Sequence, residues 1–237
     1  MKLLIRGVLL CASGLLPLSG LAADALTEAI QKSYAPYRAA LYKTNGKSQA
    51  EAREVLDQAR EGWARVASQF GVRPPPPYDR DRQLPQTFDA IDKAYAKASG
   101  EVDQNKLGKA HATLEEVRDL LVDLRRRNGV IVFSDHMNAY HTAMEDVVED
   151  GTDLLAKPDG KLRLMARIGV LDYLAKNLKS EASPELAANA EFAELVKAVV
   201  KSVADLETAM LADKEEAVKE AINALKKPYS RMFMKFG

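Results

Sequence analysis

The chain has 237 residues, with 34 Lys and Arg against 34 Asp and Glu, three histidines and one cysteine. The even charge balance excludes a nucleic-acid partner held by a basic surface. The lone Cys11 excludes an internal disulfide, a C-x-x-C-H haem attachment and a multi-thiolate metal site.

Residues 1–23 read as an export signal. Lys2 and Arg6 give the positive start, GVLLCASGLLPL the apolar run, and SGLAAD the small residues for cleavage near Ala22 or Ala23. The run is shorter than the roughly 20 apolar residues that a spanning helix needs, so no membrane anchor is expected after cleavage. Leu10 stands where a lipoprotein signal wants a small residue, which argues against lipidation of Cys11. The mature chain is placed in the periplasm. Without Lys2 and Arg6 it keeps 32 basic against 34 acidic residues, and it has no cysteine.

Ala, Leu, Glu and Lys dominate the mature chain, and VIVF at 130–133 is the one strand-like run, so the chain is expected to be all-α. A first helix over about 24–43 carries Leu26, Ile30, Tyr34, Tyr37 and Leu41 at threes and fours. TNGKS breaks it. A second, over about 48–70, carries Ala52, Val55, Leu56, Ala59, Trp63, Val66 and Phe70 on one side, which predicts a buried Trp63. RPPPPYDRDRQLP then reads as a stiff extended linker. A third helix follows Pro85 with Phe88, Ile91 and Tyr95, and a fourth covers about 107–127 and is closed by Gly129. GVIVFS is short enough to imply an apolar junction. Ser134 is the expected N-cap of a fifth helix reaching about 155 and weakened at Gly151. KPDGK is a turn, a sixth helix covers about 162–178, Ser183-Pro184 opens a seventh, and an eighth ends at the C-terminus.

Ala90–Gly129 and Ala198–Gly237 are equal-length helix–turn–helix stretches, and Ala29–Gly71 is similar. Internal repetition and chance likeness among amphipathic hairpins both account for this. Either way the units are αα-hairpins, which bury their faces by pairing into four-helix bundles. Two tandem up-down bundles are expected, over 24–132 and 133–237, with one continuous eight-helix domain as the alternative.

FDAIDKAYAKASGEVDQNKLGKAHATLEEVRDLL from Phe88, and the last repeat from Phe192 to Gly237, resemble the C-terminal hairpin of the soluble four-helix-bundle cytochromes of the bacterial periplasm, the b-type and c-prime-like group. The resemblance implies an exported up-down bundle. In that family a histidine near the end of the last helix ligates or tethers haem, and a methionine near the start of the first helix can be the other ligand. Here the last helix ends in Met232, Phe233 and Met234, while the family-like Asn138-Ala139-Tyr140-His141 lies near the start of the fifth helix. The fold is carried across and the cofactor is not.

At about 100° per residue, Phe133, Met137, His141, Met144, Val148 and Leu155 form one expected inward stripe, with His141 near its middle. His136 falls about 140° from His141, on the outer flank, and His111 sits at the edge of the fourth helix's stripe. Thioethers with imidazoles suit a soft ion, so Met137, His141, Met144 and His111 are the candidate ligands for copper or a haem iron. Glu145 and Glu115 follow His141 and His111 by one turn and could orient their rings. Plain packing, with methionines as core filler, is the competing reading. No H-E-x-x-H, paired Glu-x-x-His, phosphate loop or Ser-His-Asp order appears, so an enzyme is not expected. Two functions remain: carriage of copper or haem b, or electron transfer through it, and a ligand-free accessory role docking an envelope or redox partner. An exposed PYSRMFMKFG tail would favour the second.

Overall fold

A computed structural model describes residues 24–237, and the expected export signal lies outside them. The helices are α1 (Ala25–Thr44), α2 (Gln49–Phe70), α3 (Leu84–Asp103), α4 (Leu107–Arg127), α5 (Phe133–Leu155), α6 (Gly160–Ser180), α7 (Pro184–Ala187), α8 (Ala190–Leu211), α9 (Glu215–Ala224) and α10 (Lys226–Phe236). No strand occurs among the described residues, so the fold is all-α. No described helix is long and apolar enough to cross a membrane.

Local chemistry sets the boundaries. Asp24, Ser48 and Asn189 cap α1, α2 and α8 by accepting the backbone N–H of Thr27, Glu51 and Phe192 at 2.9, 3.3 and 3.0 Å. The cap of α5 differs from the expected Ser134. The Asp135 carboxylate reaches back to the Val132 N–H at 3.0 Å, so the helix starts at Phe133. The expected last helix is two, meeting at the buried Leu225. Pro228 explains the break, because it has no N–H to give the Ala224 carbonyl and its ring crowds that oxygen.

The proline segment is not purely extended. Tyr78–Arg80 forms a 3₁₀ turn. The fully buried Tyr78 places its hydroxyl 2.8 Å from Thr27 Oγ1, which pins the segment to the start of α1.

Each of α1, α2, α3 and α4 packs on the next, and α4 returns to α1. The helices α5, α6, α8 and α9 close a second ring in the same way, and α10 lies across α8, α5 and α1. The buried apolar side chains of both rings form one continuous cluster. The junction is apolar in part, with Val130 and Phe133 packed against this cluster, and a buried ion pair lies beside them. Ile131 is 73% exposed, and the α4–α5 connection is held by Arg125, only 2% exposed, whose Nε donates to both Asp135 carboxylate oxygens at 3.0 Å.

The buried face of α5 is also turned relative to the expected stripe. Met137, Tyr140, Met144, Val147 and Leu154 point into the core, while His141, Val148 and Leu155 flank it. That rotation moves His141 from the core to the wall of a cleft.

Candidate functional site

The cleft opens between α1, α4, α5 and α10 and encloses about 300 Å³. His111 and Glu115 of α4 and His141, Met144 and Glu145 of α5 line it, so five of the six expected residues converge. Met137 does not. Its side chain is fully buried in the core, and its carbonyl accepts the Tyr229 hydroxyl at 3.4 Å. His136 stands apart, with Nε2 3.8 Å from Glu181.

The structure adds Arg118, Glu149, Lys226, Tyr229, Phe233 and Met234 to the lining. Arg118 was within reach of sequence reasoning, because it follows Glu115 by three residues on one helical face. The residues of α10 were not, since only the tertiary fold lays that helix across α5. Tyr229 stacks on His141 with ring centroids 5.1 Å apart, and on Tyr140 at 5.5 Å. Tyr229, Met232 and Phe233 are buried, so these residues of the C-terminal segment pack into the core instead of offering a docking surface.

Hydrogen bonding fixes which histidine nitrogen carries a proton. His111 Nδ1 lies 3.0 Å from the Leu41 carbonyl, which can only accept. Nδ1 therefore holds the hydrogen, and the lone pair of the neutral ring is on Nε2, 3.9 Å from Glu115 Oε1. His141 is the reverse. Arg118 donates to its Nδ1 at 2.8 Å, and a guanidinium can only donate, so Nδ1 is the acceptor and Nε2 carries the hydrogen. That Nε2 faces Glu145 Oε1 at 3.3 Å. Both ring nitrogens of His141 are thus engaged, whereas His111 keeps a free lone pair. Of the two histidines expected as ligands, His111 is the one with an imidazole nitrogen outside these hydrogen bonds.

Arg118 also donates to Glu115 at 3.3 Å, and Lys226 pairs with the other Glu145 oxygen at 2.9 Å. Burial raises the Glu145 pKa, but the His141 hydrogen bond and Lys226 outweigh it and hold the carboxyl at about 2. Its folded value lies below its ordinary 4.5, so the resulting stabilisation is complete above about pH 4.5 and is lost as the pH falls towards 2. Denaturant titrations across that window are expected to show a steeper loss for the wild type than for Glu145→Gln. Parallel curves would place Glu145 in solvent.

Among the described residues, no three His, Cys, Asp or Glu side chains converge to hold a metal ion. The lining also carries the thioethers of Met144 and Met234. Five charged side chains line the cleft, and with both ring nitrogens of His141 engaged, His111 Nε2 is the imidazole nitrogen left open to a haem iron. Compared with known protein families, curated proteins and solved structures, the chain matches none.

Proposed function

We propose that the protein is an exported, non-enzymatic helical carrier that binds one copper ion, in the cuprous state, in the cleft between α1, α4, α5 and α10. The observation that carries this reading is the free Nε2 lone pair of His111, oriented by the Leu41 carbonyl at 3.0 Å and sharing the cleft with Met144 and Met234. A backbone carbonyl on the opposite nitrogen is the usual way a protein orients a ligating imidazole. Thioether and imidazole donors together select cuprous copper over magnesium, calcium or manganese. Glu115, 3.9 Å from His111 Nε2, faces the same space. The signal-like residues 1–23 support a periplasmic location, where such a carrier would hand its ion to an envelope or redox partner.

The test is a titration of the mature protein with cuprous ion against a chromophoric chelator. One equivalent is expected to transfer to the protein. His111→Ala should weaken binding on the order of 100-fold or more, whereas His136→Ala should leave it unchanged. No transfer, or equal effects of the two substitutions, would overturn the reading.

The alternative accessory role has one observation in its favour. Leu162, Val170 and Tyr173 of α6 are 76, 55 and 65% exposed. They lie on one outward row, the kind of apolar surface that protein contacts use.

A further inference from the structure

Two His-x-x-x-Glu pairs, His111/Glu115 and His141/Glu145, line one cleft from neighbouring helices. Two imidazoles and two carboxylates make a donor set for zinc and similar doubly charged ions. Yet no three of these groups converge on a common point. A guanidinium reaches two of them. Arg118, with a side chain only 12% exposed, places NH1 2.8 Å from His141 Nδ1 and 3.3 Å from Glu115 Oε1.

We infer that the Arg118 guanidinium is the cleft's resident cation and excludes doubly charged metal ions from the His111–Glu115–His141–Glu145 set. It acts in three ways. It occupies the space between His141 and Glu115. It engages the Nδ1 lone pair of His141, whose other nitrogen is fixed as a donor to Glu145 at 3.3 Å. It also adds charge: Arg118 and Lys226 balance Glu115 and Glu145, leaving Glu149 as the remaining carboxylate of the lining. One positive charge matches that remainder. A doubly charged ion overshoots it and meets twice the repulsion from Arg118. The identity of the admitted ion rests on the copper reading above. The exclusion rests on Arg118 and the charges around it, and not on the copper reading.

The experiment is a cobalt(II) titration, followed by the visible bands of low-symmetry coordination, on wild type, Arg118→Gln and Arg118→Lys, with cuprous binding measured in parallel. Arg118→Gln is expected to bind cobalt at least about 100-fold more tightly than wild type, and the gain should vanish when His141→Ala is added. Arg118→Lys, which keeps the charge, should show no gain. Equal cobalt affinity in wild type and Arg118→Gln, or a gain that survives His141→Ala, overturns the inference. A cobalt gain without cuprous binding by the wild type upholds it and overturns the copper reading alone. Cuprous binding without a cobalt gain does the opposite. If Arg118→Gln does not fold, the imidazole nitrogen resonances of the wild type decide. An Nε2–H tautomer at His141 supports the inference, and an Nδ1–H tautomer overturns it.

Discussion

Trp63→Ala is expected to destabilise the protein by about 3–5 kcal/mol, the range for removing a large aromatic side chain from a packed core. Trp63 is 3% exposed on α2 and meets Phe88 of α3 edge-on at 4.9 Å between ring centroids. Its indole N–H donates to Asp92 at 2.7 Å, so the substitution also strands a charge-assisted hydrogen bond. For a chain of this length each kcal/mol moves the melting temperature by roughly 2–4 °C, which makes the loss easy to read by calorimetry. A loss below about 1 kcal/mol would mean that α2 does not present this face to α3.

Asp135→Ala is expected to cost a similar amount, about 3–5 kcal/mol, by a different route. The substitution leaves the Arg125 guanidinium, 2% exposed, without its carboxylate at the junction of the two helix rings. It also removes the acceptor for the Val132 N–H that caps α5. Removing one partner of a buried ion pair is far more damaging than removing both, because the survivor keeps its desolvation penalty. The double variant Arg125→Met with Asp135→Leu should therefore recover most of the lost stability. Urea titrations of the single and double variants check this. A double variant as unstable as Asp135→Ala would locate the cost in the lost cap or in packing and not in the stranded charge.

Much of the fold was legible because the pattern was regular. The stripes of α1 and α2 named the buried Leu26, Ile30, Tyr34, Tyr37, Trp63 and Phe70 correctly, since each helix buries one clean face. Where two rows of a helix share the same spacing, the pattern does not choose between them. In α5 both the row of Tyr140 and Val147 and the row of His141 and Val148 run at helical spacing. Sequence alone could not say which faces the core, and tertiary packing chose the first. The break at Leu225 was readable from Pro228, three residues further on, but the amphipathic pattern continues across it and hid it. The 3₁₀ turn at Tyr78 depends on a hydroxyl partner, Thr27, 51 residues away, which no local rule supplies.

The candidate site divides in the same way. Its helical half, His111/Glu115 and His141/Glu145, followed from one-turn spacing. Arg118 changes the meaning of that half, because its guanidinium occupies His141 Nδ1, and this emerges only from the tertiary fold that brings Arg118 of α4 to α5. Met234 enters the site because α10 folds back over α5. Thioethers in a helix are more often filler than ligands; Met144 is buried in the core like Met137, and what sets it apart is that it also borders the cleft, with Met234.

The most direct test of the proposed copper centre is the X-ray absorption spectrum of the protein loaded with one equivalent of cuprous ion. The His111–Met144–Met234 assignment predicts a first shell that mixes one imidazole nitrogen with two sulfur scatterers. A shell of nitrogen and oxygen alone, with no sulfur, would contradict it.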